Sequence, residues 1–483
     1  MVNGAARPKI YQTSSARPGE ENSDAQARIV GVKGQGYAIH DKLQRIRTRE
    51  AAMERILFTN VSVIDGLADA AYAADVLVEG ERIAAVTAAP GRLSVAGAQT
   101  VDGGGATLMP GLIEAHAHLS FTNNKELEEF ARIPVEEHVI ACIENAKLLL
   151  DQGFTSCFSA AAAKPRLDVV LKRAIEAGRV PGPRLMAATQ EMTPSGNLGD
   201  LDTMEVALPP NVRFTVTCDS PDAFRRACRV AAREGVDVFK VNVSGDRGFE
   251  EWGAGSHSTV ITDEELAAVV QVANARGKVV AAHAVSAGAV KMCIRHGVTA
   301  IYHAAFCDEE AMDMLEAAKE RVFVAPTVGF PYTLTHEAGR YGVTFDAKTQ
   351  ARNERELDSI IAGATAMRKR GIRVLPGGDY GLFCNPQGTN ARDLEHFVNL
   401  LGFTPMRAIQ AATRLGGQLM GRPEDLGCIA PGHLADLLMV DGDPLADIRI
   451  LQDAGKLMAI MKGGRFHKAP AAAKAKRRAA AAE

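Results

Sequence analysis

The sequence predicts an α/β protein built on a TIM-like (β/α)8 barrel, with a small β-sandwich domain formed from the segments on both sides of the barrel. Eight short apolar runs alternate with amphipathic helical stretches between residues 106 and 420, which is the pattern of a closed parallel barrel. The flanking segments 55–109 and 421–468 are rich in β-forming residues. A chain of 483 residues, 47% of them hydrophobic, is long enough for both parts.

The two ends of the chain differ from the rest in composition. Residues 1–54 are polar and irregular, apart from a charged stretch at 41–55 with helical character. They predict an N-terminal extension or an oligomerisation arm, and a partly disordered tail is an equally good interpretation. Residues 469–483 are basic and rich in alanine, and we expect a solvated tail.

The flanking segments carry the strands of the second domain. Before the barrel, the runs ILFTNVSVID and ADVLVEGERIAAVTAA alternate in hydrophobicity, and Gly80-Glu81 has the position of a hairpin turn. After the barrel, HLADLLMVDGDPLADI and KLMAIMKGGRFHK return to a β pattern. Because no barrel position is left for these late strands, we expect them to pair with the early ones, so that residues 55–109 and 421–468 form one composite β-sandwich.

The barrel domain is predicted to cover residues 110–420. Its strands are predicted in eight runs: TLMPGLIEAHAH, TSCFSA, PRLMAAT, VDVFKVNVS, KVVAAHA, TAIYHA, VFVAPTV and IRVLPGGD. Among the helices between them, the one at 262–276 has the clearest boundaries. Thr262 and Glu265 have the spacing of a capping box, and Gly277 is placed to end the helix.

Composition excludes several classes of partner. The formal net charge is −3, from 55 basic and 58 acidic residues, so nothing attracts the chain to nucleic acid. No apolar run has the length of a membrane span or the flanks of a signal peptide. The eight cysteines are scattered and form no CxxC pair. We expect a cytoplasmic protein that binds neither nucleic acid nor a membrane. It should act on a small molecule and form a homo-oligomer.

Ionisable residues lie where five of the predicted strands end. His116 and His118 close the first strand, and residues two apart on a strand point to the same side, so both imidazoles can reach one metal ion. His283 and His303 have equivalent places on the fifth and sixth strands, and Asp379 ends the eighth. In parallel barrels this edge carries the reactive groups. The pattern therefore predicts a metal centre.

Lys240 lies within the fourth predicted strand and faces the barrel interior. A buried ammonium group is costly, and two explanations remain open. The lysine forms an ion pair with an interior carboxylate, or its amine reacts with carbon dioxide to give a carbamate that bridges two metal ions. With the four histidines and Asp379, this set of nitrogen and oxygen ligands suits zinc, and also cobalt, manganese or iron.

These motifs resemble those of the amidohydrolase superfamily. The similarity spans residues 55–468 and rests on MPGLIEAHAHL, FKVNVSG, AAHAV, YHAAF, GGD and ADLLMVDGDPLADI. The resemblance implies two divalent metal ions, with His116 and His118 on one, His283 and His303 on the other, N6-carboxylated Lys240 between them, and Asp379 binding metal and handling the proton.

Within the superfamily, the chain looks most like the imidazolonepropionase-like branch, which includes prolidase-type dipeptidases and ochratoxin-hydrolysing amidases. Relatives often have Gly-His-Gly-Asp after the third strand, where this chain has Asn197 in place of the histidine. We therefore expect Asn197 to face the substrate. Other candidate substrate residues lie in the loops at the same edge, where aromatic side chains suit an apolar substrate group: Trp252, Tyr332, His336, Arg340 and Tyr380.

The leading hypothesis is hydrolysis of an amide-like C–N bond in an N-acyl amino acid, a dipeptide or an aryl amide such as a mycotoxin. Metal ions would activate the attacking water, and Asp379 would transfer its proton to the leaving nitrogen. One alternative is hydrolysis of a cyclic amide or of a urea, carbamate or thiocarbamate xenobiotic. Another is a non-catalytic, structural member of the family.

Overall fold

The computed structural model describes residues 54–88, 93–202, 209 and 213–471. The predicted N-terminal extension and nearly all of the predicted C-terminal tail lie outside these residues. The described residues from Arg55 to 471 belong to one compact unit, whereas the helical stretch predicted at 41–55 lies almost entirely outside the described residues.

The strands and helices follow the predicted alternation. In chain order, the strands are β1 Arg55–Val63, β2 Tyr72–Glu79, β3 Arg82–Ala88, β4 Gln99–Asp102, β5 Thr107–Pro110, β6 Leu112–Ala117, β7 Phe154–Ser159, β8 Arg184–Met186, β9 Glu191–Thr193, β10 Thr215–Thr217, β11 Val238–Asn242, β12 Val279–Ser286, β13 Ala300–Phe306, β14 Phe323–Ala325, β15 Arg373–Val374, β16 Leu437–Val440, β17 Leu457–Lys462 and β18 Arg465–Lys468. The α-helices are α1 Leu127–Arg132, α2 Val135–Asp151, α3 Leu167–Glu176, α4 Pro221–Glu234, α5 Asp263–Arg276, α6 Ala287–His296, α7 Glu309–Ala317, α8 Gly329–His336, α9 Ala347–Lys369, α10 Arg392–Asn399, α11 Pro405–Gln410 and α12 Gly416–Leu419.

One sheet combines strands from both flanks of the chain. Its order is β18-β17-β16-β5-β1-β2-β3, with β4 also paired to β1. The C-terminal strands join the N-terminal ones where β16 runs antiparallel to β5 and places Leu438 opposite Met109. We call it the flank sheet. The exact domain boundaries and the sandwich arrangement stay predictions.

The first predicted barrel strand is two strands, which corrects the sequence-based assignment. Thr107–Pro110 is β5 of the flank sheet, whereas Leu112–Ala117 is β6 and pairs with β7. The chain changes sheets at Gly111, where an added Cβ would lie 2.1 Å from Thr155 Oγ1. Only glycine fits so close to the neighbouring strand.

Parallel strands form the rest of the fold. They lie in a sheet of three, β6-β7-β8, and a sheet of seven, β10-β9-β11-β12-β13-β14-β15, and a parallel bridge between Ala188 and Val238 connects the two. Every one of the eight predicted runs contains a parallel strand. The short β9 and β10 were not predicted. The protein therefore has an α/β fold, and closure of the strands into a barrel stays a prediction.

Helix boundaries follow the local sequence. In α5 the predicted capping box is confirmed, because the Thr262 side chain accepts from the Glu265 backbone and the Glu265 side chain accepts from the Thr262 backbone. Gly277 ends this helix with φ +61°, a left-handed conformation that glycine adopts without strain. Among the described helices, none is both long and apolar enough to cross a membrane.

Candidate metal centre

His116 lies near the carboxyl end of β6, and His118 directly follows that strand. Both side chains are almost completely buried. The His116 ring stacks on Tyr302 at a centroid distance of 3.8 Å, and the His118 ring stacks on Phe121 at 4.1 Å. The two imidazole centroids are 5.2 Å apart. Packing on both rings therefore leaves little freedom in how their nitrogens point.

Asp379 brings a carboxylate to this pair. Its Oδ1 is 3.0 Å from His118 Nε2 and 3.6 Å from His116 Nε2. Among the described residues, His116, His118 and Asp379 are the group whose ligand atoms lie within 4.8 Å of one another. Burial alone would raise the pKa of Asp379, but the neighbouring imidazoles outweigh it and hold that pKa well below its usual value.

The hydrogen bonds of the rings show that this group fits a cation. His118 Nδ1 is 3.1 Å from the carbonyl oxygen of Ala161, which can only accept, so Nδ1 carries a proton. His118 Nε2 faces the Asp379 carboxylate at 3.0 Å. A second proton on Nε2 makes this contact an ion pair, whereas a neutral ring presents a lone pair there that a cation can bind together with the carboxylate. Burial lowers the pKa of His116 well below its usual value, which favours the neutral, metal-binding form of that ring.

His283 and His303 form a second imidazole pair next to the first. Their ring centroids are 4.4 Å apart, and His303 is 5.5 Å from the His116 ring. Burial also lowers the pKa of His303 well below its usual value. The two residues do not end their strands as predicted, since β12 and β13 continue to Ser286 and Phe306. The strands nevertheless place both rings beside the first pair.

Lys240 is 1% exposed and has an interior carboxylate beside it. Its Nζ is 3.8 Å from Glu191 Oε1 and 4.7 Å from the centre of the Tyr302 ring. Burial lowers the pKa of the lysine, whereas the charge of Glu191 acts in the opposite direction. The ion-pair explanation thus has its partner, and carboxylation of Lys240 stays a prediction.

The backbone is strained at the same edge. His303, Thr327 and Asp379 have φ values of +72°, +55° and +62°. Non-glycine residues adopt this left-handed region at a cost of order 1 kcal/mol or more. Thr327 is also the partner of His116, since its Oγ1 is 3.2 Å from His116 Nδ1. The strain therefore coincides with the candidate ligands and one of their supports.

Two buried carboxyl groups lie behind the ligands. Glu114 accepts from the His116 backbone at 3.0 Å and from Asn390 Nδ2 at 2.9 Å. Burial, together with the charge of Asp393, raises the pKa of Glu114 to about 8, and burial raises the pKa of Asp393 to about 6. Neither residue was predicted, although Glu114 could have been found from its position two residues before His116 on one strand face.

The other unpredicted neighbours carry no such signal. Glu191 lies on the short strand β9, and Asp246 Oδ2 is 3.8 Å from His283 Nε2 in the loop after β11. Both are acidic residues in segments without a motif. Only the folded chain brings them to the ligands.

The candidate substrate residues lie in different environments. Asn197 is 1% exposed, and its Nδ2 donates to Thr193 Oγ1 at 3.0 Å, while its Oδ1 has no hydrogen-bond partner among the described residues. Tyr380 is also buried, and its hydroxyl donates to Asp393 at 3.0 Å. The Asn197 oxygen is therefore a buried acceptor without a hydrogen-bond partner among the described residues, whereas the Tyr380 hydroxyl already has one, and contact of either residue with substrate stays a prediction.

The remaining candidates are more exposed than Asn197 and Tyr380. Trp252 is 62% exposed and contacts Phe249 edge-on at 5.6 Å. Tyr332 and His336 are neighbours on α8, with ring centroids 4.8 Å apart. The exposed Arg340 forms an ion pair of 3.2 Å with Glu337. The structure does not bring these four residues together, and their contact with substrate stays a prediction.

Comparisons with known proteins agree with this arrangement. The model of the amidohydrolase family matches residues 107–466. The chain is 25% identical over 383 residues to ochratoxinase of Aspergillus niger, a match that covers 75% of this chain and 76% of that protein. It is 24% identical over 434 residues to imidazolonepropionase of Ectopseudomonas mendocina (strain ymp), covering 84% of this chain and 96% of that protein.

A solved structure shows the same similarity in three dimensions. A prolidase complexed with N-methylphosphonate-L-proline superposes with a TM-score of 0.75 at 25% identity, and the match covers 86% of this chain and 100% of that one. The family match extends from β5 to β18, so it includes all the candidate ligands.

Proposed function

The chain belongs to the amidohydrolase family and is a hydrolase of amide-like bonds, and we propose that it cleaves the C–N bond of an N-acyl amino acid, a dipeptide or an aryl amide with the help of divalent metal ions. The observation that carries this proposal is the buried group of His116, His118 and Asp379, in which His118 Nε2 is 3.0 Å from the Asp379 carboxylate. Such a contact is expected where a cation binds both groups.

Two sets of residues would hold the metal ions. His116, His118 and Asp379 form the first set, and His283 and His303 form the second, with carboxylated Lys240 between the two. Zinc is the first candidate, and cobalt, manganese and iron accept similar ligands. A divalent cation bound there supplies the Lewis acidity that activates water and polarises the carbonyl of the scissile bond.

Asp379 is the proposed proton carrier. Its side chain is 19% exposed, so one face of the carboxylate remains accessible from the edge where substrate enters. It would accept a proton from the attacking water and deliver it to the leaving nitrogen. His118 orients this carboxylate, and its own ring is held by Phe121 and by the Ala161 carbonyl.

The substrate class is proposed from the relatives and from the site. The relatives include an ochratoxinase and a prolidase bound to a phosphonate derivative of proline, which favours an amide of an amino acid. Asn197 Oδ1 is a buried acceptor suited to an N–H group of such a substrate. The match to imidazolonepropionase over 96% of its length keeps a cyclic amide as the second candidate.

We also propose that the parallel strands close into a barrel. A Cβ added to Gly377, just after β15, would lie 2.8 Å from the Cβ of His116 at the end of β6. The last parallel strand therefore ends next to the first one. This proximity supports a closed (β/α)8 arrangement, in which the ligands share one mouth.

The test of the proposed function combines metal analysis with a substrate panel. Purified protein of measured metal content is assayed with N-acyl amino acids, dipeptides, aryl amides including ochratoxin A, cyclic amides and phenylureas. We expect turnover of an amino acid amide, with loss on chelation and recovery on adding zinc or cobalt. In Asp379→Asn we expect turnover to be abolished while metal content falls only partly, because the four imidazoles remain.

Three outcomes would contradict the proposal. Full activity in Asp379→Asn would remove the carboxylate from the mechanism. Exclusive turnover of cyclic amides or of ureas would replace the substrate class and keep the metal chemistry. If the protein binds no metal and hydrolyses nothing in the panel, the result supports the alternative of a non-catalytic, structural member of the family.

A further inference from the structure

We propose that Asp393 is a positioning residue that holds Asp379 in the conformation needed to bind metal. Asp393 lies in the first turn of α10 and is 2% exposed. Its Oδ2 accepts the backbone N–H of Gly377 at 2.9 Å, and its Oδ1 accepts the Tyr380 hydroxyl at 3.0 Å. One carboxylate thus binds the chain on both sides of Asp379.

The space around Asp393 fits this role. A Cβ on Gly378 would lie 2.7 Å from Asp393 Oδ1, and a Cβ on Gly329 would lie 3.0 Å from the same atom. Two glycines therefore allow the buried carboxylate to approach the Asp379 loop. Asn385 adds a second hold, since its Nδ2 donates to the carbonyl oxygen of Gly378 at 2.6 Å.

These contacts act on a strained residue. Asp379 has φ +62°, a conformation that persists only where the surrounding structure imposes it. Without the hydrogen bonds from Gly377 and Tyr380 to Asp393, the loop that carries Asp379 would relax towards an unstrained backbone. The Asp379 carboxylate would then leave its position 3.0 Å from His118 Nε2.

The same short segment also supports the first histidine. Asn390, three residues before Asp393, donates to Glu114 at 2.9 Å, and Glu114 accepts from the His116 backbone at 3.0 Å. Residues 390–393 therefore reach both His116 and Asp379 without being ligands themselves. Partners of this kind orient the groups that bind a metal.

The test measures cobalt binding and backbone protection. In Asp393→Asn, a neutral amide replaces the charged acceptor, and its NH2 group faces either the Gly377 N–H, which cannot accept, or the Tyr380 hydroxyl, which must then accept instead of donate. We expect cobalt affinity to fall by about 10- to 100-fold and the visible absorption spectrum of bound cobalt to change. In the metal-free protein, hydrogen exchange of residues 377–380 should accelerate. Tyr380→Phe removes one donor only and should give a smaller change in the same direction.

Asp436→Asn is the matched control. Asp436 is also a buried aspartate that accepts a backbone N–H, from Gly463 at 2.6 Å, and it pairs with Arg184 at 2.8 Å. It precedes β16 in the flank sheet. This variant should lose stability but keep the cobalt spectrum, the cobalt affinity and the exchange of residues 377–380.

The inference rests on the proposed metal centre, and the two can fail separately. If His116→Ala leaves the cobalt spectrum of the protein unchanged, cobalt binds elsewhere and the proposed centre is wrong. If His116→Ala abolishes the spectrum while Asp393→Asn and Tyr380→Phe both retain wild-type affinity, spectrum and exchange, the positioning role of Asp393 is wrong. Equal effects of Asp393→Asn and Asp436→Asn on cobalt binding would also contradict it.

Discussion

At the scale of residues, the centre is defined by the orientation of the imidazole rings. The Ala161 carbonyl accepts from His118 Nδ1, which leaves Nε2 facing Asp379 at 3.0 Å. The candidate ligands could be predicted from their residue types on or just after the predicted strands. The tautomer and the facing carboxylate could not, because both depend on a carbonyl and a loop distant in sequence.

Lys240 gives the first prediction at this scale. Lys240→Ala is expected to lose metal and activity, with partial recovery in the presence of short-chain carboxylates, because these can occupy the place of a carbamate. Metal analysis and activity assays with and without formate or acetate measure this. If the variant keeps the native metal stoichiometry, Lys240 is not a metal ligand and its role is the ion pair with Glu191.

His396 gives a second prediction, on pH dependence. This histidine is 4% exposed, and burial, reinforced by the charge of Arg392 and opposed by Glu337, lowers its pKa to about 4. The unfolded chain has the higher pKa, so it binds more protons between pH 4 and 6.5, and stability should fall as pH falls through that window. The loss from pH 7 to 4.5 is about 2–3 kcal/mol.

The measurement is the free energy of unfolding of wild type and His396→Leu across this pH range. The carboxyl groups and the remaining histidines titrate in both proteins. The difference between the two free energies of unfolding therefore isolates the contribution of His396. The leucine variant should lack this part of the pH dependence. Two parallel curves would show that the pKa of His396 is the same in the folded and the unfolded protein.

At the scale of elements, local sequence defines boundaries well and sheet membership poorly. The capping box and the glycine stop of α5 were predicted from Thr262, Glu265 and Gly277, because these signals act within one turn. The division between β5 and β6 was missed. It depends on Thr155 lying against Gly111, a contact between residues far apart in the chain.

The cap of α5 is a prediction at this scale. Thr262→Ala removes the oxygen that accepts from the Glu265 backbone at 3.3 Å, and the free energy of unfolding should fall by about 1 kcal/mol. Thr262→Ser keeps the oxygen and should remain within a few tenths of a kcal/mol of wild type. Denaturant unfolding of the three proteins checks this, and equal losses in both variants would attribute the effect to packing of the threonine methyl group.

At the scale of the molecule, β16 connects the flank sheet to the parallel strands. Leu438 and Val440 belong to the core of the parallel strands and helices, whereas Leu437 and Met439 belong to the core of the flank sheet. Successive residues of a strand point to opposite faces. One strand therefore serves two hydrophobic cores.

This arrangement predicts cooperative unfolding. Calorimetry should show one transition for the described unit, and Leu438→Ala, which creates a cavity in the core of the parallel strands and helices, should destabilise it by about 2–5 kcal/mol without splitting the transition. Leu67→Ala is the control, since Leu67 is 48% exposed and should change stability by less than about 0.5 kcal/mol. A separate transition for the flank sheet would contradict the shared core.

The sequence by itself determined the α/β alternation, the positions of eight parallel strands and the candidate ligands His116, His118, Lys240, His283, His303 and Asp379. These features follow from hydrophobic period and from residue types on or just after the strands, which are local. Tertiary structure alone decided that Glu191 lies beside Lys240, that Glu114 and Asp393 contact the segments carrying the ligands, and that Asp379 faces His118 Nε2. Those are contacts between side chains brought together only when the strands assemble, and no local pattern records them.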